Sequence, residues 1–312
     1  MKQEQRKSTK ISIIIPVFNA QKHIHRCLDS LTNQTFKDIE IICVNDGSTD
    51  STSKILEDYA KKDNRIKILN RKNSGAAISR NEGYKLAQGE YIQFLDADDF
   101  FESNMLEEMY NLAIENNADV AVCDHHRYDE IKNEVQDIET PFQRNIKTNQ
   151  VLSAKDYPDD ILSTTFLAAW TKLIKKEHID KYNIQFQDLK CCNDNTFSIL
   201  SILLAEKIVL INKKYVYYSI NVSESISSSR AKYATNIIDA MISTIDTLKK
   251  HKKYEASMRF LYNIYHRSFK AEYKNCTALN KLKFELKLFW ASLKTGILYI
   301  KLSPTRNKNK RI

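Results

Sequence analysis

Three aspartates in four residues, Asp96, Asp98 and Asp99 in the run FLDADD, repel one another unless a cation or several donors offset their charge. Hard divalent ions such as Mn²⁺ or Mg²⁺ take oxygen ligands, and they share them between one or two carboxylates and substrate phosphates. An Asp-x-Asp pair closing an apolar run therefore suits a bound diphosphate. Upstream, Asp46 opens an Asp-Gly-Ser break, and Asn19 follows the run ISIIIPVF. Asn73-Ser74-Gly75 offers backbone N–H groups at a helix start, a setting for negative charge. Arg80 lies two turns further on, within reach of a phosphate. Taken singly, each has a plain reading: Asn and Asp after strands form turns and caps, and an isolated Arg is a solvated surface group. All of them falling at the ends of apolar runs is harder to explain as turn chemistry.

Those runs are the elements that must position the polar residues. Ile11–Val17 is a near-continuous β-branched stretch, as expected of a strand buried on both faces of a parallel sheet. Asn19 is placed to cap a helix with Ile24, Cys27, Leu28 and Leu31 on one side. Strands then follow at Glu40–Val44, Ile66–Leu69 and Tyr91–Leu95, alternating with helices at Ser51–Lys61 and Ser74–Leu86. This rhythm predicts a doubly wound, mostly parallel α/β sheet flanked by helices. In such sheets ligands bind beyond the carboxyl ends of the strands, where Asn19, Asp46 and the aspartate cluster fall. Beyond a helix at 103–116, a fifth strand is expected at Asp119–Cys123, and a polar excursion or hairpin at 128–149. Helices are expected at Ala154–Leu162, Thr171–Lys181 and Asp194–Leu204, and a late strand at Lys213–Ser219.

The runs ISIIIPVFNA, VNDGSTDST, NSGAAISRNEGYKLAQGEYIQFLDADD and AAWTKLIKKEHIDKYNIQFQ together resemble family 2 glycosyltransferases of the GT-A fold. The likeness extends from about residue 11 to 227, with four motifs in order. It implies a nucleotide-diphospho-sugar donor such as a UDP-sugar, a Mn²⁺ or Mg²⁺ ion, and an inverting displacement onto a glycan or lipid-linked acceptor. By the same resemblance, Pro16, Phe18 and Asn19 line the nucleoside pocket and Asp46 binds the base. Arg80 lies near the diphosphate, Asp96 contacts the ribose or sugar, and Asp98 coordinates the metal, with Asp99 an additional acidic neighbour. Trp170 and Lys172 match a pattern near the acceptor side, where Trp170 is either a core aromatic or a sugar platform.

One-step inverting transfer also needs a carboxylate opposite the leaving diphosphate, to take the acceptor proton. The family places it in a Glu-Asp pair before a short helix. Here the matching stretch, FQDLKCCNDNTFSI, puts Asp194 at the Asp position and Asn193 in place of the Glu. Asp188 is the fallback, and an acidic residue in a first helical turn is also favoured by the helix dipole alone. A second departure is Ser219, where an Arg is common. These two departures keep a non-catalytic nucleotide-sugar-binding protein as an alternative. A sugar nucleotidyltransferase is the other, although PVFNAQKH lacks the glycine-rich loop it would show.

The organisation expected is a polar tail at 1–10, a GT-A domain at 11–230 and a basic helical region at 231–312. Within the domain, a nucleotide-sugar half ends near 125 and an acceptor half begins near 126. The chain carries a net charge of +9, and residues 231–312 hold about 18 Lys and Arg against about 5 Asp and Glu. In the stretch 281–302, Leu282, Leu286, Phe289, Trp290, Leu293 and Ile297 fall along one helical side, with Lys283, Lys287, Lys294 and Lys301 crowded elsewhere. A basic amphipathic helix with Trp and Phe reads as binding an anionic membrane surface, or as packing on the catalytic domain with solvated lysines. No zinc spacing, recognition helix or aromatic RNA-binding motif accompanies the lysines, which argues against nucleic acid. Six cysteines show no paired C-x-x-C spacing, as suits a reducing compartment. With no apolar run of membrane-spanning length, the expectation is a cytoplasmic protein peripheral on the inner face of the cell membrane.

Overall fold

The first hundred residues build the strand–helix rhythm that their apolar runs predict. β1 (Ile11–Val17), α1 (Ile24–Thr32), β2 (Ile39–Asn45), α2 (Thr52–Lys62), β3 (Ile66–Asn70), α3 (Ala76–Leu86) and β4 (Tyr91–Phe94) alternate without interruption. β1 pairs in parallel with both β2 and β4, and β2 pairs in parallel with β3. A computed structural model of the chain describes residues 9–136, 138–222, 233–274 and 278–295.

The chain continues through β5 (Phe100–Phe101), α4 (Met105–Glu115), β6 (Val120–Asp129), β7 (Glu134–Gln136), α5 (Pro141–Asn145) and β8 (Gln150–Ser153). After these come α6 (Ile161–Thr164), β9 (Lys172–Lys175), α7 (Lys176–Tyr182), α8 (Asn193–Leu203) and β10 (Lys207–Ile220). Three helices follow: α9 (Asn236–Lys250), α10 (Tyr254–Lys274) and α11 (Ala278–Thr295). The strands form one mixed sheet in the order β3-β2-β1-β4-β9-β6-β10-β5, with β7 paired to β6 and β8 to β10. β6 and β10 are parallel to each other, and β9 is antiparallel to both β4 and β6. This is the expected α/β sheet flanked by helices, with an antiparallel strand at its centre.

Strand alternation divides the core into two layers. Ile11, Ile13 and Ile15 face Cys27, Leu28 and Leu31 of α1 together with Leu56 of α2. Ile14, Ile42, Val44 and Phe94 face the other way, against Ala77 of α3 and residues of α8 and α9. The helix α3 sits close to this second face because residue 83 is glycine. A Cβ there would lie 2.6 Å from Ile14 Cγ2 and 3.0 Å from Val44 Cγ2.

Several expected elements are corrected. Thr171–Lys181 is not one helix: Lys172–Lys175 forms β9, and only Lys176–Tyr182 is helical. Ala154–Leu162 is likewise broken, with a 3₁₀ turn at Ala154–Asp156 and a helix only from Ile161. Pro158 between them lacks the N–H that a continuous helix needs. Asn19 does not cap α1, whose capping position is His23. Instead Asn19 adopts a left-handed φ of 46° and its Oδ1 accepts a hydrogen bond from Thr49 N at 2.8 Å. The expected fifth and late strands are longer than their apolar runs, reaching Asp129 and Ile220.

Within the basic region, α11 packs against α9 and α10 by a different side from the one singled out. Phe284, Leu288 and Ala291 are buried, whereas Leu282, Leu286, Phe289, Trp290 and Leu293 are exposed. Ile297 and Lys301 lie outside the described residues. Among the described residues, no helix is long and apolar enough to cross a membrane.

Candidate active site

The ends of β1 and β2 are held together by short polar loops. Asn19, Ala20 and Gln21 exchange hydrogen bonds with Ser48, Thr49, Asp50, Ser51 and Thr52. Phe18 is half exposed at this edge, beside the partly buried Pro16. Asp46 is buried just behind. Its carboxylate accepts from Ser74 N and Gly75 N, the latter at 2.7 Å, and lies 3.5 Å from Arg71 Nε. The N–H groups at the start of α3 therefore meet a carboxylate of the protein itself. Of the setting for negative charge that Asn73-Ser74-Gly75 offers, Asp46 takes the N–H groups of Ser74 and Gly75.

The aspartate run leaves β4 into a tight loop. Arg80, projecting from α3 and nearly buried, donates from Nη2 to Asp96 Oδ1 at 2.5 Å and from Nη1 to Asn193 Oδ1 at 3.2 Å. The Phe186 ring lies 5.1 Å from its guanidinium carbon. Arg80 thus bridges the aspartate run to the start of α8, and the charge expected near a diphosphate is shared first with Asp96. Asp98 is partly buried and Asp99 fully so. Burial and the neighbouring carboxylates push both carboxyl groups above the usual carboxylate range, Asp98 to about 7. Asp99 Oδ1 accepts from Ser219 N at 2.8 Å, whereas its Oδ2 is buried with no hydrogen-bond partner.

Among the described residues, no three His, Cys, Asp or Glu side chains gather as a metal cage. Mn²⁺ and Mg²⁺ do not need one where a diphosphate and water complete the shell. The all-oxygen donors of the Asp96–Asp99 loop, crowded enough to resist ionising without a cation, fit such an ion.

A cleft of about 380 Å³ opens beside this loop. Its lining includes Arg80 and Asp96, Asn193 and Asp194, and Trp170 and Tyr218. Asp194 sits in the first turn of α8, following Cys192 in a left-handed conformation with φ 57°. Asp188 is exposed and outside the cleft lining. Trp170 is buried and stacks on Tyr218 with ring centroids 5.2 Å apart, so that it presents only an edge of the wall. Pro16, Phe18, Asn19 and Asp46 belong to the neighbouring strand ends and not to this cleft.

Lys172 is fully buried and does not reach the cleft. Its ammonium donates to the carbonyls of Phe166 and Ala168, each at 2.7 Å, and to that of Thr165 at 3.3 Å. Burial lowers its pKa to about 7, opposed by the nearby charge of Asp194. The side chain is a tie for the loop at 165–168, whose Phe166 has a left-handed φ of 46° and stands half-open at the cleft. Lys172 therefore makes no contact with the cleft itself and instead supports a loop that lines it. Sequence reasoning also missed Ser268 of α10, which brings the basic region to the cleft. Nothing in its local pattern distinguishes it from other helical serines.

Comparison with known proteins bears on the family and the fold. Residues 12–181 match the profile described as "Glycosyl transferase family 2". The chain is 33% identical over 213 residues to the uncharacterized glycosyltransferase EpsJ of Bacillus subtilis, covering 66% of this chain and 60% of EpsJ. It is 35% identical over 214 residues to the poly(ribitol-phosphate) beta-glucosyltransferase of Bacillus spizizenii, covering 67% of this chain and 32% of that protein. The chain thus spans well under the full length of either relative. Among solved structures, S. aureus TarS 1-349 in complex with UDP-GlcNAc superposes with a TM-score of 0.76 at 23% identity, over 92% of this chain and 81% of that 1-349 chain. The mannosyltransferase PcManGT of Pyrobaculum calidifontis, in complex with GDP-Man and Mn²⁺, gives 0.56 at 14% identity, over 93% of this chain and 76% of its own.

Proposed function

The chain belongs to glycosyltransferase family 2, and from that membership we propose that it transfers a hexose or N-acetylhexosamine from a UDP-sugar, with inversion, to a glycan or lipid-linked acceptor. The observation that carries the proposal is that Asp194 and the Arg80–Asp96 pair line one cleft. A donor diphosphate beside the Asp96–Asp99 loop and a base facing it are the two things an inverting transfer needs. The relatives support a UDP-linked donor, since TarS holds UDP-GlcNAc, and a surface polymer acceptor, since one relative glucosylates poly(ribitol-phosphate).

In this reading Asp96 contacts the ribose or sugar and Asp98, helped by its acidic neighbours, holds Mn²⁺ or Mg²⁺. Such an ion, when bound, stabilises negative charge on the departing diphosphate. Asp194 accepts the proton of the acceptor hydroxyl as its oxygen attacks the anomeric carbon. Trp170, Tyr218 and Phe166 give the acceptor an aromatic wall, and Lys172 holds the loop that carries Phe166. Pro16, Phe18, Asn19 and Asp46 form the edge on which the nucleoside rests.

The exposed face of α11 extends the proposal to where the enzyme works. Leu282, Leu286, Phe289, Trp290 and Leu293 present an apolar strip within a region of strong positive charge. That combination suits an anionic leaflet, and in this proposal the enzyme works at the cytoplasmic face of a membrane, next to a lipid-linked acceptor.

Incubation with a panel of UDP-sugars and Mn²⁺ tests the transfer. The expected outcome is UDP release from one donor that rises on adding oligosaccharide or lipid-linked acceptors. Saturable UDP binding with no release under any combination would overturn catalysis in favour of a binding protein.

A further inference from the structure

Arg26 of α1 reaches the aspartate loop from the far side of β1, with no sequence spacing to announce it. Its Nη2 donates to the main-chain carbonyl of Asp98 at 3.1 Å, to Ser219 Oγ at 3.1 Å and to the Glu130 carboxylate. The rings of Phe100 and Tyr128 lie 4.3 and 4.7 Å from its guanidinium carbon. Ser219 adds a second donor to the same Asp98 carbonyl, at 2.7 Å, and its N–H holds Asp99. The Asp98 peptide is therefore fixed by one side chain from α1 and one from β10.

Arg26 brings a guanidinium to the Asp98 peptide, where it is held in an ion pair with Glu130. Arg80 is engaged with Asp96, and position 219 carries a neutral hydroxyl. The Arg26 guanidinium carbon lies close to both aromatic rings, so cation–π attraction adds to its hydrogen bonds.

We propose that Arg26 is a positioning residue for metal-dependent donor binding, fixing the Asp98 peptide together with Ser219. This rests on the reading of Asp98 as the metal ligand. It assigns Arg26 no contact with the reacting atoms.

Mn²⁺ binding to the full chain, followed by the spin-resonance signal of free Mn²⁺ with and without UDP, tests it. Arg26→Gln alone leaves Glu130 uncompensated, so the variant measured is Arg26→Gln with Glu130→Gln, which removes both charges together. The expected result is an Mn²⁺ dissociation constant, with UDP present, about tenfold weaker than wild type, the scale of one lost charge-assisted hydrogen bond. The unfolding midpoint without metal and the UDP affinity in EDTA stay near wild type. A folded double variant that binds Mn²⁺ as wild type does would overturn the role of Arg26 alone. A wild type that binds no Mn²⁺ with UDP present would overturn the metal assignment and this inference with it.

Discussion

Replacing Arg80 by Met, which keeps length and apolar bulk, removes the cation from the bridge between the aspartate run and α8. Asp96 then loses a partner at 2.5 Å and Asn193 one at 3.2 Å. Breaking a fully buried ion pair by deleting one partner costs about 3–5 kcal/mol. The Asp96 carboxylate is 30% exposed, so water takes up part of the loss and the expected cost is about 1–2 kcal/mol. Asp96→Asn relieves the uncompensated charge, so Arg80→Met/Asp96→Asn is less destabilised than the sum of the single changes. Urea unfolding followed by circular dichroism measures that coupling. The same four proteins separate two roles of Arg80 through their UDP affinity. Arg80 committed to Asp96 predicts that Arg80→Met costs less than about threefold in affinity once Asp96 is already Asn. Additive stabilities would refute the pair. A further loss of about tenfold or more in the Asp96→Asn background would show a direct grip on phosphate.

Other consequences are as specific. Gly83→Ala gains helix propensity but drives a methyl to 2.6 Å from Ile14 Cγ2, so a net loss of about 1–2 kcal/mol is expected, read as a lower urea midpoint. Lys172→Met leaves the carbonyls of Phe166 and Ala168 without their donor, a cost of about 1–3 kcal/mol. The Lys172 pKa lies near 7 in the fold and near 10.5 unfolded, so the unfolded chain binds the extra proton between those values. Wild-type stability relative to Lys172→Met therefore rises as pH increases from about 7 to about 10.5, and a flat difference over that window would contradict the burial argument. Leu286→Glu with Trp290→Glu places two charges on the exposed face of α11. Flotation with anionic vesicles is expected to lose the variant and retain wild type, whereas equal recovery would remove α11 from membrane contact.

Where a residue's setting is decided by its own stretch of chain, the sequence reveals it. A strand covered on both faces must be apolar throughout, and Ile11–Val17 announces β1 for that reason. The aspartate run, too, is legible, because three carboxylates so close together demand compensation wherever they fall. β9 escapes because its four residues, KLIK, begin and end in lysine, and Lys172 is buried only by virtue of carbonyls contributed by the preceding loop. The start of α3 looks like an anion site and is one, but the anion is Asp46, brought there by the parallel pairing of β2 and β3. Arg26 and Ser268 are invisible for a related reason. Each meets the site through tertiary packing, one from α1 and one from α10, with no motif around it.

Asp194→Asn tests the central claim most directly, because the change removes a base while keeping size and hydrogen-bonding capacity. With the UDP-sugar and acceptor that wild type uses, the account predicts UDP binding within about threefold of wild type. Acceptor-dependent UDP release should fall by about 10²–10⁴, the range for loss of a general base. Undiminished transfer by a folded Asp194→Asn would contradict it.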